Sequence, residues 1–246
     1  MPSLNPLNAW RGFLALPNTT PAKALGVAFL VALVCSVLVS LTAVTLKPLS
    51  DINRLRFETA NLFDVLQALG ASEPEARWVK RSSGAYVARS SDADTALDPS
   101  LDSAGLGRVD DVLAVYEVRT DGNLKMVALP VKGAGYKSLL EGYVVLKGDL
   151  NTVAALTFHQ QDETPGMGSK ITDKDWQALW AGKQVADLEG RVRIEVVKGT
   201  SDGPYQVDGI SGATRTGNGV TKLLHFWLGD HGYGPYLKRL KNGGSQ

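Results

Sequence analysis

The sequence predicts an α+β protein: a single N-terminal transmembrane helix, then one soluble domain with a mainly antiparallel sheet and flanking helices. Three observations support this prediction. A long uncharged segment lies near the N-terminus, four short apolar runs lie between residues 112 and 160, and a helical pattern follows near the C-terminus. Of the 246 residues, those after residue 46 are enough for one domain with its own hydrophobic core.

The uncharged segment covers residues 24–46 and contains no Asp, Glu, Lys or Arg. At about 1.5 Å per residue, it is long enough to cross a hydrocarbon core of about 30 Å. A cleaved signal peptide is the alternative, but the segment is longer than a typical signal core and residues 42–47 offer no clean cleavage site. We therefore expect an uncleaved anchor, preceded by an N-terminal segment at residues 1–23.

Charge and cysteine content exclude several classes of function. The 26 basic and 25 acidic residues are spread along the chain, so we expect no nucleic-acid partner. The single cysteine, Cys35, lies inside the predicted span, where a small apolar-like role is commoner than metal ligation. The histidines, His159, His225 and His231, are scattered, and we predict no metal site.

Basic residues give little information on membrane orientation. Arg11 and Lys23 precede the span, and Lys47, Arg54 and Arg56 follow it. The positive-inside rule thus leans slightly toward a cytoplasmic C-terminal domain. A difference of one basic residue is too small to assign the orientation.

Residues 47–107 are predicted as an amphipathic helix and a connecting region. Apolar or small residues recur with helical spacing, and Gly70 then supplies a typical helix stop. The recurring residues are Ile52, Leu55, Thr59, Leu62, Phe63, Leu66 and Leu69. Residues 71–107 are rich in Ser, Asp, Ala and Gly, which predicts a loop or a short helix at residues 75–80. The main domain then covers residues 108–246, and we expect residues 47–246 to form one compact unit.

Strand patterning predicts four antiparallel neighbours at residues 112–118, 124–131, 138–146 and 153–160. The dipeptide Asp121-Gly122 predicts a tight turn between the first two strands. Residues 191–198 alternate between charged and apolar side chains and predict a further strand.

Two helices and a short tail helix complete the prediction. Residues 172–175 resemble a capping box and open a helix through Trp180, on which Trp176 and Trp180 share one face. We expect these two rings to pack in the core. The second helix covers about residues 214–228, and a short helix follows a tight turn within residues 231–238.

The segment 211–218 reads Ser-Gly-Ala-Thr-Arg-Thr-Gly-Asn and lies where the second helix begins. A helix N-terminus has free N–H groups and a positive dipole, so it can hold a phosphate close to a hydroxyl. An ordinary turn that caps the helix is the alternative. The candidate binding residues are Ser211, Gly212, Ala213, Thr214 and Thr216.

A second candidate segment, residues 163–168, follows the fourth predicted strand. Pro165 stiffens the turn, the glycines permit close approach of a flat ring, and a methionine can lie on the ring face. Alone, such a segment is more often only a connection. The candidate residues are Glu163, Thr164, Gly166, Met167 and Gly168.

Residues 133–138 superficially resemble a phosphate-binding loop, because Lys-Ser follows glycines. The motif requires glycine where Tyr136 stands, so the segment fails that test. The Tyr136 ring is a candidate for stacking on a cofactor, with ordinary packing as an equal alternative.

The order of residues in these segments resembles one known family. Residues 208–216 resemble the S/T-G-A-T-x-T signature of FMN-binding domains, in which the last threonine carries FMN as a phosphoester. Residues 163–168 resemble the E-T-P-G-x-G loop of the same family. Together with residues 44–49, 176–180, 226–230 and 232–236, they make the chain similar to the C subunits of sodium-translocating NADH:quinone oxidoreductases.

This resemblance implies covalent FMN on Thr216, with Ser211 and Thr214 as hydrogen-bonding supports. It implies electron transfer on the route from NADH to ubiquinone, coupled to sodium export, with the other subunits of the complex as partners. It also implies a bacterial inner-membrane protein with residues 1–23 in the cytoplasm, one span in the lipid bilayer and its C-terminal domain in the periplasm. A periplasmic FAD-dependent flavin transferase then modifies the threonine.

Two alternatives remain open at this point. The G subunits of the Rnf electron-transport complexes share the span and the threonine motif, although their C-terminal region is less similar. A flavin-free membrane anchor or assembly protein is also consistent with the span, the balanced charge and the lack of acid–base residues.

Overall fold

The computed structural model describes residues 15, 17, 20–71, 73–89 and 94–243, without the side chains of residues 22 and 48–59. The predicted N-terminal segment, residues 1–23, lies largely outside these ranges. The chain divides into two compact units, Met1–Arg56 and Phe57–Gln246. Each unit is described by itself.

The first unit contains the predicted membrane span. Within the helix α1 (Pro21–Ala68), the segment Lys23–Lys47 is long and apolar enough to cross a membrane once. Most of its large side chains are exposed; Leu25, Phe29 and Val44 are each at least two-thirds accessible. A surface of this kind is suited to lipid or to other apolar partners.

The second unit contains a sheet with helices on it, as predicted. Its strands are β1 (Glu75–Lys80), β2 (Tyr86–Val87), β3 (Thr95–Ala96), β4 (Arg108–Val109), β5 (Val112–Thr120), β6 (Asn123–Ala134), β7 (Leu139–Lys147), β8 (Val153–Gln160), β9 (Glu195–Val196) and β10 (Gln206–Val207). Its helices, besides the end of α1, are a 3₁₀ turn (Gly168–Thr172), α2 (Lys174–Ala178), α3 (Thr214–Leu228) and α4 (Gly234–Lys241).

The main sheet has six strands in the order β2-β1-β5-β6-β7-β8, and every pairing is antiparallel. The four predicted strands are therefore confirmed as neighbours. Asp121 and Gly122 both have positive φ, at 51° and 79°, which is the geometry of the tight hairpin turn that this dipeptide favours. The β6–β7 hairpin ends at residues 134–139 beside the candidate site.

The prediction of a loop or short helix at residues 75–80 is wrong. These residues form β1, which pairs with β5 along its whole length, from Glu75 opposite Glu117 to Lys80 opposite Val112. The free edge of β5 supplies hydrogen-bonding partners for this backbone, and Val79 is buried in the core. Tertiary pairing thus outweighs the weak local pattern.

The predicted strand at residues 191–198 is much shorter than expected. Only Glu195–Val196 is a strand, paired in parallel with β10. Side chains of α3 take neighbouring backbone groups: the His225 ring contacts the Ile194 carbonyl at 2.8 Å, and Thr221 accepts the Val196 N–H at 2.9 Å. These side-chain hydrogen bonds take the place of backbone hydrogen bonds that a longer strand would make with a neighbouring strand.

The predicted capping box at residues 172–175 does not form. Thr172 donates its hydroxyl to the Ser169 carbonyl, so it closes the 3₁₀ turn, and Asp173 makes no side-chain cap for α2. The α-helix ends at Ala178, before the predicted end at Trp180. Trp176 and Trp180 nevertheless pack edge to face at 5.4 Å and are buried, as predicted.

The sheet is covered on both faces. One face packs against α3 and the C-terminal segments, forming the larger core around residues such as Val144, Leu156 and Leu223. The other face is covered by the end of α1 through Leu62 and Leu66, which are each 1% exposed. Phe63 and Leu69, also placed on this helix face from the sequence, remain more than a third exposed.

Buried hydrogen bonds fix the C-terminal segments on the sheet. The Trp227 indole N–H donates to the Lys132 carbonyl at 2.6 Å, and the Tyr233 hydroxyl donates to the Pro130 carbonyl at 2.9 Å. The Tyr236 hydroxyl donates to the buried Glu117 carboxylate at 2.7 Å. Trp227 lies in the last turn of α3, Tyr233 precedes α4 and Tyr236 belongs to it, so these bonds set the position of both helices.

Gly84 permits close contact between the β1–β2 turn and α4. Substitution of this glycine tests whether the turn packs against α4. Its φ is +66°, and an added Cβ would lie 2.4 Å from the Tyr236 backbone. Gly107 has nearly the same φ, +69°, with open space around it. We expect Gly107→Ala to cost about 1–2 kcal/mol of stability from backbone strain, and Gly84→Ala to cost about 1–3 kcal/mol more from overpacking.

The measurement is denaturant or thermal unfolding of the full chain in detergent micelles, followed by tryptophan fluorescence. Equal losses in the two variants would show that the β1–β2 turn does not pack against α4 as described.

Candidate functional site

A cleft of about 380 Å³ lies at one end of the sheet, where three connecting segments meet. These are the β6–β7 turn, the segment after β8 and the residues that open α3. Eight of the predicted site residues line the cleft together with Arg215; they are Tyr136, Thr164, Met167, Gly168, Gly212, Ala213, Thr214 and Thr216. The fold therefore brings together segments that lie far apart in the sequence.

Thr216 lies in the first turn of α3 at the floor of the cleft. Its side chain is buried, with 2% exposure, beside Glu163 and Gly168. The Thr216 hydroxyl donates a hydrogen bond of 2.7 Å to Oε2 of Glu163. The two residues thus form a buried polar pair beneath the cleft.

Glu163 follows β8 and is itself only 4% exposed. Its Oε1 accepts three backbone N–H groups, from Tyr136 at 3.0 Å, Lys137 at 2.9 Å and Ser138 at 3.1 Å. Successive N–H groups in a turn form a concave anion site. The segment that superficially resembles a phosphate loop therefore binds a carboxylate of the same chain.

These contacts determine the protonation state of Glu163. Burial raises the pKa of its carboxyl, but the hydrogen bonds from the Thr216 hydroxyl and the three backbone N–H groups outweigh burial and hold the pKa below its usual range. The group is ionised at neutral pH. An ionised carboxylate therefore faces the Thr216 hydroxyl.

Two glycines provide the space for this pair. An added Cβ on Gly135 would lie 2.5 Å from Glu163 Oε1, and one on Gly168 would lie 2.7 Å from Thr216 Oγ1. Real Cβ atoms do not approach so closely, so either side chain would displace the pair. Gly168 also lines the cleft, which leaves Thr216 Oγ1 approachable from that side.

The start of α3 lacks a side-chain cap. The N-cap residue is Ala213, which has no side-chain acceptor, and Ala is among the poorest N-cap residues. The hydrogen bond that a Ser, Thr or Asn side chain would make at an ordinary N-cap is therefore not present at this position. First-turn N–H groups at the cleft are left for an external acceptor, and an anion is the acceptor that the helix dipole favours.

An aromatic and a cationic side chain form one wall of the cleft. The Arg215 guanidinium lies 5.0 Å from the centroid of the Tyr136 ring, a cation–π contact. Tyr136 is 55% exposed and Met167 is 44% exposed, so both offer apolar surface at the cleft mouth. The sequence reasoning missed this contact, since the two residues are distant in the chain.

Three predicted site residues do not line the cleft. Ser211 borders a neighbouring cavity of about 320 Å³, which Lys198 also lines. Gly166, at φ +72°, shapes the turn after Thr164. Glu163 lies below the cleft floor, where it binds Thr216.

The preceding Asp208 segment is held by the core. The Trp176 indole N–H donates to the Asp208 carbonyl at 3.0 Å, and the Asp208 carboxylate accepts the Ser201 N–H and hydroxyl at 2.7 and 2.6 Å. Trp176 therefore positions the loop that leads into α3 and does not line the cleft.

The region that contains this cleft matches a known domain. A family model described as the FMN-binding domain matches residues 135–229. The match begins in the β6–β7 turn, ends after α3, and so contains all three segments around the cleft.

Comparison with known proteins extends the similarity to most of the chain. It is 38% identical to the C subunit of the Na(+)-translocating NADH-quinone reductase of Pseudomonas aeruginosa, covering 90% of this chain and 96% of the relative. The corresponding protein of Vibrio parahaemolyticus is 33% identical, covering 94% and 99%.

Solved structures agree with this result. The crystal structure of Shewanella oneidensis NqrC is 28% identical, with a TM-score of 0.66, and covers 72% of this chain and 88% of that one. The C subunit from Parabacteroides distasonis is also 28% identical, with a TM-score of 0.53, and covers 67% of this chain and 78% of that one. The chain therefore belongs to the family of C subunits of the Na(+)-translocating NADH-quinone reductases.

Proposed function

We propose that this chain carries FMN through a phosphoester on Thr216 and transfers electrons as a subunit of a sodium-translocating NADH-quinone reductase. The observation that supports the attachment site is the Thr216 hydroxyl, placed at the floor of the cleft at a helix start and hydrogen-bonded to Glu163. Family membership supports the electron-transfer function and FMN as the cofactor.

The residues present fit a flavin phosphate. Gly168 leaves room beside Thr216 Oγ1 that a Cβ would fill, and the N-cap position supplies no competing acceptor. The first turn of α3 offers N–H groups, and Arg215 offers a positive charge at the same cleft. Tyr136 and Met167 offer surfaces for a flat ring.

FMN, when bound, supplies the redox chemistry, and the protein supplies attachment, orientation and local charge. Thr216 holds the phosphate end at the start of α3. Arg215, kept in place by the Tyr136 ring, offsets the negative charge of a phosphodiester. The tethered position keeps the cofactor at a fixed place in a chain of electron carriers.

The setting of this site is proposed as the periplasmic side of the bacterial inner membrane. The apolar segment Lys23–Lys47 serves as the anchor in the lipid bilayer. The partners are the other subunits of the reductase and a periplasmic flavin transferase that uses FAD as its donor. A covalent bond suits this location, since a dissociated flavin would be lost by dilution.

A flavin-free anchor protein would have no need for the features at the cleft. A buried, ionised glutamate directed at a buried threonine hydroxyl, with two glycines that clear space around the pair, forms a polar site that an apolar core would not require. The observations therefore favour the cofactor-binding function.

Substitution of Thr216 tests the attachment site. Thr216→Ala removes the hydroxyl, and we expect it to abolish covalent flavin while the domain stays folded. Thr216→Ser keeps a hydroxyl at the same place and is expected to retain covalent flavin. The measurement is in-gel flavin fluorescence of the denatured full chain, expressed in a host that has the transferase.

Retention of in-gel fluorescence by Thr216→Ala would contradict the proposal. Circular dichroism of both variants in detergent checks that the fold is unchanged.

Substitution of Gly168 tests access to the hydroxyl. Gly168→Ala places a Cβ about 2.7 Å from Thr216 Oγ1, and we expect covalent flavin to fall by about tenfold or more. Gly203→Ala is the matched control, because its Cβ would make only ordinary contacts at 3.5 Å and lies outside the cleft. Both are measured by the ratio of flavin to protein absorbance after denaturation.

Flavin loading of Gly168→Ala equal to that of Gly203→Ala would show that the hydroxyl is not approached through the cleft.

A further inference from the structure

The attachment reaction requires a group that removes a proton from the Thr216 hydroxyl. A threonine hydroxyl is a weak nucleophile unless an adjacent base accepts its proton. In protein kinases, a carboxylate of the enzyme accepts the proton of the substrate hydroxyl in the same way. In this chain, a carboxylate is already in contact with the acceptor hydroxyl.

The distance between Glu163 Oε2 and Thr216 Oγ1, 2.7 Å, is within the range for direct proton transfer. Oε1 is occupied by three backbone N–H groups, so Oε2 is the oxygen directed at the hydroxyl. The residues that line the described cleft include no Asp, Glu or His. Among the described residues, Glu163 is thus the acid–base group that touches the reacting oxygen.

We propose that Glu163 is the general base for flavin attachment to this chain, an inference that rests on the proposed phosphoester at Thr216. The Thr216 proton moves to Glu163 Oε2 while Thr216 Oγ1 forms a bond to the flavin-side phosphorus of FAD. The phosphoanhydride bond to the adenylate breaks, and adenosine monophosphate leaves with the bonding electron pair. No atom is oxidised or reduced, and the transferase supplies FAD.

The surroundings of Glu163 suit it to act as a general base. The three N–H groups fix the carboxylate, so the base does not have to reorient, and Gly135 leaves the space that Oε1 occupies, which a Cβ there would fill. Its lowered pKa keeps it ionised before the reaction. After esterification, the lost hydroxyl donor and the added phosphodiester charge both raise that pKa, which favours retention of the proton.

The test is a time course of flavin attachment to the detergent-solubilised apo full chain by purified transferase with FAD, followed by intact-protein mass spectrometry. Glu163→Gln keeps the shape and a carbonyl acceptor for the three N–H groups but cannot accept a proton. We expect its attachment rate to fall by about 100-fold to 10,000-fold. A rate within about threefold of the wild type would overturn the proposal.

Two variants separate proton acceptance from stability. Glu117→Gln makes the same change in another buried carboxylate, which accepts the Tyr86 and Tyr236 hydroxyls away from the cleft, and it is expected to react at the wild-type rate. Glu163→Asp keeps a carboxylate that can act through a bridging water, so we expect it to react faster than Glu163→Gln. Equal rates for these two Glu163 variants would overturn the proposal.

The pH profile separates a base from a residue that only positions the threonine. Because both reactions share the transferase, its own pH dependence cancels in the ratio of wild-type to Glu163→Gln rates. With the base absent, hydroxide must replace it, so the ratio should fall by about tenfold per pH unit as the pH rises. A constant ratio would leave Glu163 as a positioning residue and contradict the proposal.

The wild-type chain distinguishes the two levels of inference. If it acquires no flavin on Thr216 from the active transferase, the proposed function fails. If the wild-type chain acquires flavin on Thr216 and Glu163→Gln acquires it at the same rate, only the proposed role of Glu163 fails.

Discussion

The hydrogen bond between Thr216 and Glu163 is the interaction on which the site depends. It joins the first turn of α3 to the segment after β8, and Glu163 in turn binds the N–H groups of the β6–β7 turn. A buried carboxylate is costly unless all of its oxygens are satisfied, so these three segments must be placed together. One ionised group thereby fixes both the geometry of the cleft and the orientation of the hydroxyl at its floor.

The rest of the domain places α3 so that this bond can form. An added Cβ on Gly219 would lie 2.7 Å from the Ala134 carbonyl, which shows how closely α3 approaches the end of β6. Trp227 secures the other end of α3 to Lys132, and Trp176 holds the Asp208 segment that leads into it. The sheet is therefore a rigid support for a site made of turns, an arrangement common among binding sites.

Much of the fold could be predicted from the sequence, because β5–β8 are short apolar runs separated by turn residues and α3 has a continuous helical pattern ended by Gly229. The strand at Glu75–Lys80 could not, since its partner β5 lies more than thirty residues further on. The site residues were found from motif order, but the Glu163–Thr216 and Tyr136–Arg215 contacts connect distant segments and have no local signal. A glutamate three residues after the end of a buried strand, before a glycine-containing turn, was the available clue to the first contact.

The central claim is that the buried threonine at the start of α3, and no other hydroxyl of the loop, carries the flavin. The most direct measurement is fragmentation mass spectrometry of the peptide that contains both Thr214 and Thr216, taken from membranes of the native host. The account predicts one FMN phosphoester, localised to Thr216. An unmodified peptide, or a flavin localised to Thr214, would contradict it.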